Sequence, residues 1–148
     1  MCNVFDVAKY ILSEIGEVST MKLQKLCYYS LVEGLIAKEP VVMFQNKIEA
    51  WANGPVCRDL WNLHKGAFYI NKSMIKDELL SGESLPLKYK THINAVLEKY
   101  GNMSGTQLSE KTHQEAPWRD AVNNINSSKN STKIISHKAI MDFYSTNQ

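Results

Sequence analysis

Scarce thiols, no long apolar run and almost no net charge limit what this 148-residue chain can be. Cys2, Cys27 and Cys57 are odd in number and contain no Cys-x-x-Cys pair, which argues against a disulfide framework or a zinc knuckle. They read as cytosolic thiols. His64, His92, His113 and His137 share no ligand spacing with one another or with the thiols, so no metal site is expected. No apolar stretch approaches the ~20 residues of a spanning helix, and the N-terminus lacks the charged and apolar regions of a secretory leader. The expectation is a soluble, cytoplasmic protein with no membrane partner. The 17 Lys+Arg against 15 Asp+Glu, with no block of like charge, fall short of the footprint of a dedicated nucleic-acid binder. Internal repeats and long low-complexity tracts are also missing, so residues 1–148 are read as one domain with one core.

Apolar periodicity predicts a mainly α fold: a compact multi-helix domain around a central buried helix, with a small β-hairpin. Val4, Val7, Ala8, Ile11, Leu12 and Ile15 give the first helix, capped by Asn3 and stopped by Gly16. The next starts after Ser19 or Thr20 and runs to about Lys38, before Pro40. Its apolar residues reach most of the way round, as in a helix at the centre of a fold. Val41–Phe44, a Gln45-Asn46 turn and Lys47–Trp51 read as the hairpin. Gly54-Pro55 reads as the opening of a helix that Gly66 closes. A short helix near Ile75–Leu80 and a longer one over Ser84–Tyr100 follow. Ser104 and Gln107 form a capping box flanked by Met103 and Leu108, with Pro117 breaking the helix begun there. A polar segment from Asn123 to Lys133 precedes a last helix capped by Ser136, with Ile135 and Ile140 as its staple.

Three groups of residues invite a functional reading. Lys22, Gln24 and Lys25 stand polar at the start of a helix otherwise buried, where a lysine opposes the macrodipole. That points to an acidic partner or an internal carboxylate, against the plainer account of a solvated face. Trp51, Gly54 and Pro55 form a turn whose amides could bind an anion, but such turns are more often architectural. His113, Glu115, Pro117, Trp118 and Arg119 close the last group. His113 suits the carbonyls of a helix end, and Trp118-Arg119 has the composition of an interface contact. A Cys57–His113 hydrolase, with the thiol lowered by a helix dipole, lacks an orienting third residue. No catalytic or cofactor site is expected.

The blocks Met21-Lys22-Leu23-Gln24-Lys25-Leu26-Cys27-Tyr28-Tyr29, Ala50-Trp51-Ala52-Asn53-Gly54-Pro55-Val56 and Thr112-His113-Gln114-Glu115-Ala116-Pro117-Trp118, with Asp6–Leu12 ahead of them, follow one another along the chain. In that order they resemble the Panacea domain, the SocA-like, phage-associated family. The resemblance implies an antitoxin of a bacterial or prophage toxin–antitoxin pair that binds its cognate toxin directly, without enzyme activity. The alternative is an adaptor delivering a partner to an energy-dependent cytosolic protease. Lys22, Lys25, Glu115, Trp118 and Arg119 are the expected partner contacts. Trp51, Gly54, Pro55, His113 and Pro117 are the expected structural motif. The first helix starts within a few residues of Met1, so an appended DNA-binding module is not expected.

Overall fold

The computed structural model describes residues 1–123 and 133–146. Helix α1 (Val4–Ile15) opens on a reciprocal cap in which Asn3 Oδ1 accepts from the Asp6 amide and Asp6 Oδ2 from the Asn3 amide. Gly16 ends it at φ +80°. After the two-residue strand β1 (Val18–Ser19), helix α2 (Thr20–Leu35) starts on the Ser19 hydroxyl, which accepts from the Lys22 amide. Residues 23–32 of α2 are all buried, under α1, α4 (Leu87–Tyr100), α5 (Gly105–His113), α7 (His137–Thr146) and one sheet. The fold is thus mainly helical around a buried central helix, with small antiparallel sheets.

That sheet differs from the expected hairpin. Strand β2 (Ile48–Trp51) pairs with β3 (Gly54–Cys57), so the turn is Ala52-Asn53 rather than Gln45-Asn46. Val41–Phe44 is not a strand, although its β-branched residues suggest one. Met43 and Phe44 are consecutive and both fully buried, which a strand with one solvated face does not allow. Nor does Gly54-Pro55 open a helix. Pro55 lies in β3, an edge strand, where a residue without an N–H is tolerated. Helix α3 (Arg58–His64) begins only after it. On the other side of β2 runs β5 (Ile134–Ile135), and β1 pairs separately with β4 (Tyr69–Ile70).

Other boundaries moved for local reasons. Helix α4 starts at Leu87 instead of Ser84 because Pro86 disfavours helical geometry at Leu85 before it. Two 3-10 turns, Lys72–Met74 and Asp77–Leu79, replace the single helix expected near Ile75–Leu80. Helix α5 ends at His113 without a proline. Pro117 sits instead in the first turn of α6 (Ala116–Val122), where its missing N–H costs nothing. The Ser104–Gln107 capping box and the Ser136 cap are as expected, and Leu108, Ile135 and Ile140 are buried. The polar segment from Asn123 to Lys133 lies, apart from its ends, outside the described residues.

Helix α2 stops at Leu35 rather than Lys38 because the chain turns back on itself at Gly34. The Val41 amide donates to the Gly34 carbonyl at 2.9 Å. A methyl group on Gly34 would lie 2.8 Å from the Val41 carbonyl oxygen. Alanine would gain ~1 kcal/mol of helix propensity there, but the backbone contact cannot relax as a side chain would, and overpacking costs about 1–3 kcal/mol. Gly34→Ala is therefore expected to lower stability, by up to about 2 kcal/mol. Urea unfolding checks the sign: an unchanged slope with a higher midpoint contradicts it.

Candidate functional site

Lys25 lies in the second turn of α2, on the side facing the β2–β3 hairpin, and is 1 % exposed. Its Nζ donates to the Pro55 carbonyl at 3.2 Å. That approach is open because Gly54 has no side chain: a Cβ there would lie 2.9 Å from Lys25 Cε and 2.7 Å from Thr112 Oγ1, and the backbone holds φ at +114°. Gln24, beside Lys25, binds the same strand as if it were another strand. Its Oε1 accepts from the Cys57 amide at 2.9 Å and its Nε2 donates to the Cys57 carbonyl at 3.1 Å. The Gln24 Nε2 also stands 3.0 Å from His64 Nε2.

The last motif closes on the same place. Ser109 Oγ donates to the Asn53 carbonyl and Trp118 Nε1 to the Trp51 carbonyl, so α5 and α6 hold both ends of the hairpin turn. One turn on from Lys25, the Tyr29 hydroxyl donates to Glu115 Oε1 at 2.7 Å, while Lys111 Nζ donates to Glu115 Oε2 at 3.0 Å. All three sequence blocks therefore belong to one internal polar cluster.

Several expectations are corrected by these positions. The Lys22–Lys25 stretch is not a solvated polar surface, since Gln24 and Lys25 are buried. Lys22 finds no carboxylate among the described residues; its Nζ donates to the Gly101 carbonyl at 2.6 Å and caps the C-terminus of α4, where a cation suits the dipole. His113 stacks on Trp118, with ring centroids 4.0 Å apart, and its buried Nε2 makes no hydrogen bond. It does not cap the helix end through that nitrogen. Glu115 is buried, Trp118 half-buried and Arg119 exposed.

Cys57 is the residue before α3, yet burial outweighs any helix-end effect and pushes its thiol up to about 11. Burial likewise raises Cys27. Burial lowers His64, helped by Lys25. Tyr29 is raised first by burial and then by Glu115. Among the described residues no group of side chains could hold a metal ion, and no helix is long and apolar enough to cross a membrane.

Between the start of α2, the hairpin turn and the end of α3 lies a cleft of about 340 Å³. Trp51, Trp61 and Met21 line its walls, while Lys25, Gln24 and His64 supply its buried polar groups. Trp51 and Trp61 meet edge to face at 5.3 Å, with the Arg58 guanidinium 5.1 Å from the Trp51 ring centre. A larger groove beside α1, about 570 Å³, has Asp6 as its one buried charged side chain, and Asp6 is already bonded to the Asn3 and Ser81 amides. The smaller cleft is the candidate site. Sequence reading picked out Lys25 and Trp51 but missed Trp61 and His64, whose relation to Gln24 depends on the unexpected strand β3.

These observations define a helical domain whose three separated motifs assemble around one buried lysine beside a cleft. The description "Antitoxin SocA-like, Panacea domain" matches residues 23–119, and the chain belongs to that family. No curated protein and no solved structure matches it.

Burial without a counter-ion among the described residues makes Lys25 a stability liability. Burial lowers its ammonium from 10.5 to about 8. Such a shift corresponds to about 3 kcal/mol against the charged form, while its hydrogen bond to Pro55 returns ~1 kcal/mol. Lys25→Met is expected to be more stable near neutral pH by about 1–2 kcal/mol. Because the unfolded chain binds more protons between the two values, the wild type gains relative stability as pH rises from about 8 towards 10.5. His64, lowered from 6.5, does not titrate in this window, and Cys57 is common to both proteins. Thermal or denaturant unfolding across that range should show the gap closing; a constant gap refutes the charge as its cause.

Proposed function

We propose that this protein is an antitoxin that neutralises a toxin encoded beside it by binding it directly. Family membership over residues 23–119 carries this reading. The geometry supports binding over chemistry, since the buried thiols are raised and the polar cluster is occupied in holding the fold. Of the residues expected to meet the partner, Arg119 and the open side of Trp118 are available on α6, and Lys25, though 1 % exposed, lines the cleft. Lys22 and Glu115 act from within, by fixing α4 and α2. The protein works in the cytoplasm on a protein partner, without a cofactor.

Co-expression with the neighbouring toxin should restore growth, and the two chains should co-purify at a fixed ratio by size exclusion. Arg119→Glu should leave the melting temperature unchanged, because the exposed Arg119 side chain makes no hydrogen bond or ion pair among the described residues, and weaken the complex by about tenfold. Restored growth with no complex, and with the toxin disappearing from the cells, would favour delivery to a protease instead.

A further inference from the structure

The cleft beside α2 holds a positive charge that the fold does not neutralise. An ammonium has three protons to donate; Lys25 gives one to Pro55, and no carboxylate among the described residues reaches it. The buried acids are already engaged. Glu115 is held by Tyr29 and Lys111, and Glu49 by Arg58 and Trp51. Gln24 is committed to Cys57 and His64, so the remaining polar walls bring no anion either. More positive charge stands at the rim, where Lys65 Nζ lies 5.5 Å from the Trp61 ring centre. Next along the chain from the cleft-lining Ala67 come Phe68 and Tyr69, which at 86 % and 64 % exposed offer an apolar ledge.

We propose that this cleft receives an acidic side chain, Asp or Glu, from the protein partner, its carboxylate meeting the Lys25 ammonium while neighbouring apolar side chains lie on Phe68 and Tyr69. The proposal rests on the reading of the chain as a toxin-binding protein and adds the chemistry of recognition. Charge complementarity selects the carboxylate, and the exposed aromatic ledge selects a polypeptide over a free small anion. A main chain crossing the ledge stays outside the cleft, so the group that enters belongs to a side chain and not to a chain end. Binding also supplies a counter-ion that offsets the burial of the lysine, which makes the buried charge an asset in the complex and a cost in the free protein.

The test uses the full chain and four probes followed by proton–nitrogen NMR near neutral pH. They are a blocked Phe-Glu-Phe tripeptide, its blocked Phe-Gln-Phe counterpart, Phe-Gln-Phe with a free C-terminal carboxylate, and acetate alone. Saturable shifts of the Trp51 and Trp61 indole signals are expected with the blocked Glu peptide. Binding of the blocked Gln peptide should be about tenfold weaker or worse, and Lys25→Met and Lys25→Gln should each erase the difference. Equal binding of the two blocked peptides, no binding, or insensitivity to both Lys25 variants overturns the proposal. Stronger binding of the free chain end, or of acetate, overturns the choice of a side chain. A growth-rescue arm separates this from the antitoxin reading. If the wild type fails to rescue while the Glu peptide binds as described, the antitoxin reading fails and the cleft stands. If wild type and Lys25→Met rescue and bind toxin equally, the cleft proposal fails alone.

Discussion

The constraint on which the placement of the hairpin depends is the close approach of β3 to α2 and α5 at Gly54, where nothing larger fits and the Lys25 ammonium donates to the Pro55 carbonyl at 3.2 Å. A lysine stem is long enough to cross from the axis of α2 to the hairpin only if the strand comes close, and Gly54 permits that. Thr112 closes the same space from α5, which is why three blocks distant in sequence meet within one side chain's reach. Ordinary hydrophobic packing would have held the helices together. It would not have fixed where the hairpin sits on them, because apolar contacts are non-directional.

Gln24 supplies that direction. Its amide presents one acceptor and donors in one plane, which match the N–H and C=O of Cys57 as a neighbouring strand would. The edge of β3 away from β2 is thereby covered in part by a helix side chain, which blunts an otherwise open strand. The carbonyls of Trp51 and Asn53, at the other end of the hairpin, are taken by Trp118 and Ser109. Each partner is on a different helix. The hairpin is thus held by side-chain to backbone bonds from α2, α5 and α6, and mispositioning any of these helices would leave buried polar groups unmet.

What could be read in the sequence follows from this division between local and distant causes. Asn3, Ser19, Ser104 and Ser136 cap their helices as expected because a cap is decided within four residues. The central position of α2 was equally legible, since no polar stripe wide enough for a solvated face remains between Leu23 and Leu35. The hairpin was misplaced because Val41–Phe44 has strand composition but is drawn in as a buried connection, tied by Val41 to Gly34. Gly54-Pro55 and Pro117 were misjudged for a shared reason. Proline in a strand edge, at a helix start or at a helix end gives the same local signal, and only the neighbouring elements choose among them. The burial of Lys25 could not be read at all, because nothing in the sequence shows that Gly54 and Thr112 lie against it.

The two buried charges near the centre differ in a way that bears on function. Glu115 is a finished site: a phenol and an ammonium occupy its oxygens, and the arrangement holds α2 against the α5–α6 corner. Among the described residues Lys25 has a carbonyl dipole, far less than a full counter-charge, while the buried acid Glu115 meets α2 at Tyr29, one helical turn on. Had the interior charge served stability alone, pairing Lys25 with Glu115 would have cancelled two desolvation penalties at once. Committing the acid to Tyr29 and Lys111 instead leaves the lysine's charge uncompensated at the wall of an aromatic cleft. Local choices that conflict with stability tend to mark functional positions, and here the conflict is confined to one ammonium group to which no described residue brings an anion.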